Sequence, residues 1–220
     1  MATDIDRKTV EKAYARWAPV YDLVFGSVFD QSRRISIDAA NRVGGKILEL
    51  GVGTGISLAG YGSRTQVVGI DISEPMLRKA RERVVHEQLA HVLGLAVMDA
   101  GNLGFKDASF DCAVAQFVIT TVPDPEATLD ELARVVRPGG EIVLINHISA
   151  ESGLRASFEH WFAQRSTQLG WRAEFPFARI ERWIGRHGGV RLLERRNAPP
   201  FGMFSLIRIG RTGETGGRAA

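Results

Sequence analysis

Residues 46–58, KILELGVGTGISL, constrain the fold of this chain more than any other part of the sequence. The first five of these residues indicate a buried strand, and Gly51, Gly53 and Gly55 follow at alternate positions. Because glycine has no Cβ, it permits tight turns and lets the backbone approach a ligand closely. We predict a helix that begins near Ile56 and points unpaired N–H groups at a bound molecule. Units of this kind hold nucleotide-like cofactors at the carboxyl ends of parallel strands.

The glycine spacing leaves the ligand open. The fingerprint of dinucleotide sites is G-x-G-x-x-G, whereas this loop reads G-x-G-x-G and has Ile56 in the place of the third glycine. A dinucleotide, another nucleotide-like cofactor and a turn that binds nothing are all compatible with the loop alone.

Strand-like and helix-like segments alternate along the rest of the chain. The apolar runs predict further strands at residues 65–70, 92–97, 111–119, 141–146, 190–194 and 202–209. The helical periodicity predicts helices at residues 4–25, 27–43, 76–89, 123–136, 152–169 and 179–187. This alternation predicts an α/β domain with a parallel sheet and helices on its faces.

Two acidic residues follow predicted strands. Asp71 lies twenty residues after Gly51, where a carboxylate can accept hydrogen bonds from both ribose hydroxyls of an adenosine. It could instead cap the next helix, although Ser73 is placed to do so. Asp99 ends the next strand and could bind an adenine amino group or be an ordinary turn residue.

Five motifs together resemble the class I S-adenosylmethionine-dependent methyltransferases. They are ELGVGTG, GIDIS, MDAGNLGFKDASFD, LARVVRPGGEIVL and a closing pair of strands, and the resemblance covers roughly residues 42–210. A dinucleotide dehydrogenase would account for the first two motifs only. The resemblance implies a Rossmann-like doubly wound α/β fold with seven strands, the last antiparallel, and S-adenosyl-L-methionine as the cofactor. The expected organisation is a helical lid or membrane-contacting segment at residues 1–41, the methyltransferase domain at 42–210 and a mobile tail at 211–220.

The resemblance also implies which residues hold the cofactor. The segment AYARWAPVYD is similar to the lid helix of quinone-biosynthesis methyltransferases, so Tyr21 is expected to close over the cofactor. The other expected contacts, from the methionine end to the adenine, come from Glu49, Gly51, Gly53, Gly55, Asp71, Ile72, Met76, Asp99, Ala100 and Gln116.

Residues 13–34 and 144–153 resemble the smaller bacterial type of phosphatidylethanolamine N-methyltransferase. This resemblance implies stepwise methylation of the lipid amine toward phosphatidylcholine. Such an amine is protonated in water, with a pKa of about 10, and must expose its lone pair before it reacts. We expect His147 to accept the proton, and Asn146 and the Tyr21 hydroxyl to orient the amine. A quinone or another small molecule is the alternative substrate, and a regulator that binds the cofactor without catalysis is the alternative from another class.

Charge is distributed unevenly along the chain. Residues 151–220 contain twelve arginines and six acidic residues, whereas residues 1–150 have a small acidic excess. A basic segment suits an anionic partner such as a lipid phosphate or an anionic membrane surface, and a solvated surface is the alternative. The amphipathic residues 4–25 fit either a membrane-interface helix or a lid packed on the domain. The candidates for binding the lipid phosphate are Arg179, Arg191, Arg195 and Arg196.

Several other features narrow the class of protein. The segment HEQLAH is one residue too long for the H-E-x-x-H zinc helix, so we expect no metal. The run QFVITTV lacks the loop shared by nucleic-acid amino methyltransferases, so we expect no nucleic-acid substrate. Cys112 is the single cysteine, and we find neither a secretory signal nor the roughly 20 apolar residues of a spanning helix. We expect a cytoplasmic monomer, peripheral on the inner face of the cytoplasmic membrane.

Overall fold

The computed structural model describes residues 21–148, 175–200 and 202–213, with side chains from residue 29 onward. The strands are β1 (Gly45–Leu50), β2 (Thr65–Asp71), β3 (Val92–Val97), β4 (Phe110–Gln116), β5 (Val136–His147), β6 (Val190–Ala198) and β7 (Phe204–Arg211). The helices of the described part are α1 (Tyr21–Val43), α2 (Glu74–His86), α3 (Pro125–Val135) and α4 (Phe177–His187), and a 3₁₀ turn spans Leu58–Gly60. No helix of this described part has the length and the apolar character needed to cross a membrane.

The seven strands form one sheet in the order β3-β2-β1-β4-β5-β7-β6. Strands β1 to β5 pair in parallel, and β7 runs antiparallel to both of its neighbours. The predicted doubly wound sheet with an antiparallel last strand is therefore confirmed. The chain reverses its winding direction between β1 and β4, and in open α/β sheets ligands bind at the carboxyl ends of the strands at such a point.

Helices cover both faces of the sheet because each has one apolar stripe. On one face, α1 buries Ile37 and Ala40 against Ile47 of β1 and Cys112 of β4. The other face is covered by α3 and α4, which contribute Leu132, Ile180 and Trp183 to a second buried cluster. Full burial of such a side chain contributes about 2 kcal/mol to folding.

The helix predicted after the glycine loop and the predicted end of the fourth strand are wrong. No α-helix begins at Ile56; the backbone turns repeatedly and forms only the 3₁₀ turn at Leu58–Gly60. Gly60 and Gly62 disfavour continuation of a helix here, since glycine costs about 1 kcal/mol in a helix interior. Strand β4 ends at Gln116 instead of residue 119 because Phe117 adopts a φ of +62° and turns the chain out of the sheet.

The helical and strand boundaries differ elsewhere. Helix α1 runs through Gly26 without a break, so it also crosses the predicted domain boundary at residues 41 and 42. Strand β5 begins at Val136, because the segment Arg137-Pro138-Gly139-Gly140, which lies between the predicted helix and the predicted strand, continues the strand through an irregularity in its pairing with β4. The predicted helix at 152–169, most of that at 4–25 and most of the predicted tail lie outside the described residues.

Candidate active site

A pocket opens at the carboxyl ends of β1, β2 and β4. Nine of the residues expected to hold the cofactor line it: Glu49, Gly51, Gly53, Asp71, Ile72, Met76, Asp99, Ala100 and Gln116. These residues come from four separate segments of the chain and meet because parallel strands end at one edge of the sheet.

The three glycines of the loop have positive φ angles for different reasons. Gly51 donates its N–H to the Ile70 carbonyl at 2.8 Å, and a Cβ placed on it would lie 2.2 Å from Val118 Cγ2. Gly55 presses the loop onto α2, where its Cβ would lie 3.1 Å from the Ala80 Cβ, and it does not line the pocket. A Cβ on Gly53 would meet nothing within 4 Å, so the backbone at this residue borders open space in the pocket.

Asp71 fastens the loop to the start of α2. One of its carboxylate oxygens accepts the Gly53 N–H at 2.9 Å, and the other accepts the Ser73 N–H at 2.8 Å. Ser73 occupies the cap position predicted for it, but its hydroxyl makes no capping hydrogen bond. Burial raises the pKa of Asp71 despite these N–H donors. Each carboxylate oxygen can accept a second hydrogen bond, so ligand binding and loop fastening are compatible.

Glu49 is a buried carboxyl group at the end of β1, 1% exposed. Its Oε1 accepts a hydrogen bond from the Ser57 hydroxyl, whereas its Oε2 has no hydrogen-bond partner among the described residues. Burial raises the pKa of Glu49 to about 7, against the lowering effects of the Ser57 hydroxyl, of the charge of Arg33 and of the nearby Tyr61 hydroxyl, which itself makes no hydrogen bond within the described residues. Buried polar atoms are nearly always paired in native proteins, so the open oxygen marks a place for a polar ligand group.

The end of β4 contributes Gln116, Phe117 and Val118 to the pocket lining. The amide nitrogen of Gln116 is buried without a hydrogen-bond partner in the described part of the chain. Phe117 donates its N–H to the Ile145 carbonyl at 2.7 Å, and its ring centroid lies 4.9 Å from that of Phe29 and 5.1 Å from that of Phe204. These contacts hold Phe117 in its left-handed conformation, which costs about 1–3 kcal/mol and is most common at functional sites.

The expected catalytic residues lie beside the pocket lining. Asn146 and His147 end β5, next to β4, and neither lines the pocket. Asn146 is 1% exposed, its Oδ1 accepts from the Thr120 hydroxyl at 3.5 Å, and its amide nitrogen has no partner among the described residues. Tyr21 begins α1, but its side chain lies outside the described part. The roles expected for these three residues remain predictions.

The four candidate phosphate-binding arginines do not line the pocket. Arg179 makes a two-pronged ion pair with Glu126 across α4 and α3. Arg195 lies 3.9 Å from the ring centroid of Phe177, and Arg196 donates to Glu194 at 2.7 Å. Arg191 is exposed on β6.

Sequence reasoning missed several lining residues, namely Arg33, Thr54, Ser57, Phe117, Val118 and Thr121. Arg33 is the one the sequence could have revealed. It stands four and seven residues before Ile37 and Ala40, which places all three on the buried face of α1. Phe117 could not be found, since no pattern around it predicts a positive φ.

Comparison with known proteins gives a consistent result. The sequence profile of the family described as "Methyltransferase domain" matches residues 48–144. A phosphatidylethanolamine N-methyltransferase of Cereibacter sphaeroides is 40% identical over 92% of this chain and 97% of its own length. A ubiquinone/menaquinone biosynthesis C-methyltransferase of Methylococcus capsulatus is 31% identical over 63% of this chain, which spans only 58% of that relative.

Solved structures share the fold. Two structures of phosphoethanolamine N-methyltransferase 2 from Haemonchus contortus give TM-scores of 0.68 and 0.65, at 19% and 26% identity. They cover 90% and 83% of this chain but only 58% and 43% of the longer chains compared. The first contains phosphomonomethylethanolamine and S-adenosylhomocysteine, and the second contains S-adenosyl-L-methionine.

Proposed function

The chain belongs to the S-adenosylmethionine-dependent methyltransferases of class I, and we propose that it methylates the amine of phosphatidylethanolamine, stepwise toward phosphatidylcholine. The observation that carries this proposal is the extent of one match. The phosphatidylethanolamine N-methyltransferase of Cereibacter sphaeroides corresponds to this chain over 97% of its length, so the regions outside the common cofactor domain are matched as well. The relative from quinone biosynthesis is matched over 58% of its length.

The pocket fits S-adenosyl-L-methionine. The open oxygen of Glu49 suits the ammonium group of the amino-acid end, and the backbone at Gly53 leaves room for the ligand. Asp71 would bind the ribose hydroxyls, and Asp99 with Ala100 would contact the adenine edge. When bound, the cofactor supplies the methyl group of a sulfonium to an attacking lone pair.

The amine of the substrate must be deprotonated next to this pocket. Asn146 and His147 end the strand that adjoins β4, which places them at the same edge of the sheet as Gln116. His147 would accept the ammonium proton, directly or through one water molecule, and Asn146 would orient the amine through its amide. Tyr21 would complete the site from α1, with its ring against the methylated ammonium, a contact worth about 0.5–2 kcal/mol.

A phospholipid substrate also bears on where in the cell the enzyme would act. A phospholipid substrate requires contact with a membrane surface, and the twelve arginines of residues 151–220 suit the anionic inner face of the cytoplasmic membrane. We expect the enzyme to act there as a monomer without a metal ion. One of Arg179, Arg191, Arg195 and Arg196 would hold the lipid phosphate, and the last three are exposed on the edge strand β6.

The decisive experiment follows the methyl group. The protein is incubated with methyl-labelled cofactor and vesicles that contain phosphatidylethanolamine and an anionic lipid, and the extracted lipids are separated. We expect label in the monomethyl, dimethyl and trimethyl lipids. Label in none of them would contradict the proposal. Label in a demethylated quinone added to a parallel reaction would favour the quinone alternative, which the similarity to a quinone-biosynthesis methyltransferase suggests.

The role of His147 has its own variant. His147→Ala should lower turnover by about 100-fold or more if the side chain accepts the proton. The matched control is His86→Ala, since His86 is exposed at the end of α2. Unchanged turnover in His147→Ala would remove this residue from the mechanism without affecting the proposed substrate.

A further inference from the structure

We propose that Arg33 of α1 binds the carboxylate of the cofactor's amino-acid end, while Glu49 binds its ammonium group. The inference depends on the cofactor of the family and not on the lipid substrate, so it can be tested without any lipid. It gives α1 a direct part in recognition of the cofactor.

Arg33 has the position that this role requires. It lies on the same helix face as Ile37 and lines the pocket together with Glu49, Gly53 and Thr54. The side chain is only 8% exposed, so its charge is little screened by water. Arginine presents a rigid fork of N–H donors that matches a carboxylate with two parallel hydrogen bonds.

The charged residues around the pocket indicate a ligand that has both a positive and a negative group. Three acidic residues line it, namely Glu49, Asp71 and Asp99, and Arg33 is the cation among the described lining residues. The guanidinium charge of Arg33 lowers the pKa of the Glu49 carboxyl group, although burial has the larger, opposite effect. A free amino acid terminus is a zwitterion, whose carboxylate and ammonium groups complement this buried pair.

The neighbouring arginine provides a matched control. Arg34 is 74% exposed and pairs with Asp30 at 2.9 Å, whereas the distance from Arg33 to Asp30 is 4.0 Å. Arg34→Met therefore removes an arginine that lies on the same helix and has the same acidic neighbour but does not line the pocket.

Three ligands separate the two charged groups of the amino-acid end. S-adenosylhomocysteine has both groups, its decarboxylated analogue S-adenosyl-3-thiopropylamine has only the ammonium, and 5′-methylthioadenosine has neither. Their affinities for the full-length wild-type chain and its variants are measured by titration calorimetry. We expect Arg33→Met to weaken binding of S-adenosylhomocysteine by about 10- to 100-fold, the range for a hydrogen bond between charged groups, and to change binding of the other two by less than about threefold.

The remaining variants complete the assignment. Glu49→Gln should weaken both ligands that have an ammonium group, and Arg34→Met should weaken none. Arg33→Lys keeps the charge without the fork, so it should show a smaller loss, again confined to S-adenosylhomocysteine. The thermal unfolding midpoint shows whether Arg33→Met folds. If it does not fold, Arg33→Lys takes its place in the binding test.

Three results would overturn the assignment. An equal loss for all three ligands would show that Arg33 only supports the shape of the pocket. A loss for the decarboxylated analogue as large as that for S-adenosylhomocysteine would show that Arg33 acts only through Glu49. Unchanged affinity for S-adenosylhomocysteine would exclude Arg33 from the site, whatever the lipid assay shows.

Discussion

Glu49→Gln should make the protein more stable at alkaline pH and at the same time weaken its binding of the cofactor. The carboxyl group is buried, and its folded-state pKa is about 7 against an ordinary value of 4.5. One pKa unit corresponds to about 1.4 kcal/mol, so ionisation of Glu49 in the folded protein costs about 3 kcal/mol. Glutamine has nearly the same shape and stays neutral at every pH, so the variant avoids this cost.

The sign of the pH dependence follows from the raised pKa. The folded protein binds the Glu49 proton more tightly than the unfolded chain, so stability from this group is complete below about pH 4.5 and is lost as the pH rises to about 7. The advantage of Glu49→Gln over wild type should therefore grow across this window and reach about 3 kcal/mol near pH 8.

Urea denaturation at several pH values between about 5 and 8 measures this difference directly. Glu82→Gln is the matched control, because Glu82 is exposed on α2. A difference between Glu49→Gln and wild type that does not change with pH would refute the reasoning, as would a variant that loses stability relative to wild type as the pH rises. A stabilised variant that binds S-adenosylhomocysteine weakly would identify Glu49 as a group kept for binding at the expense of stability.

Further predictions concern the glycine loop and the last turn of α3. Gly53→Ala should weaken binding of S-adenosylhomocysteine about tenfold or more, because its Cβ would face the pocket, and should cost only about 1–3 kcal/mol of unfolding free energy; unchanged affinity in calorimetry would contradict it. Gly51→Ala should cost more stability in urea denaturation, and Val118→Ala should restore part of it, since the new Cβ would lie 2.2 Å from Val118; no rescue would refute the clash. Arg134→Met should lower the thermal midpoint, at a cost of about 2 kcal/mol, because Arg134 donates to Glu131 and to two loop carbonyls; a midpoint equal to wild type would refute it.

The sheet and one half of the pocket could be predicted because both follow from strand ends. Glu49, Asp71, Asp99 and Gln116 each lie within two residues of the end of a strand, and parallel strands bring their carboxyl ends to one edge. Asp71 and Asp99 were visible as acidic residues that follow predicted strands, whereas Glu49 and Gln116 were expected only because of the resemblance to the methyltransferase family. No knowledge of side-chain packing was needed.

The rest of the pocket depends on packing that the local sequence does not encode. Phe117 adopts its left-handed conformation because Phe29 and Phe204, distant in the chain, close around its ring. The loop after Gly55 resembles a helix start in sequence, but Ser57 is drawn to Glu49 and the chain makes only a 3₁₀ turn. Arg33 was visible in the periodicity of α1, yet one charged residue among the small and apolar residues of a buried helix face is easily assigned to solvent.

The position of β6 at one edge of the described sheet has a consequence for solubility. A strand at an edge has backbone N–H and carbonyl groups that can pair with a strand from another chain, and this pairing is a common start of aggregation. Strand β6 also exposes Leu192 and Leu193, at 41% and 38%, which would favour such contacts. Three arginines (Arg191, Arg195 and Arg196) and one acidic residue (Glu194) lie on either side of these leucines, so two copies that met edge to edge would bring an excess of positive charge together. The positive charges of β6 thus oppose aggregation through this edge of the sheet.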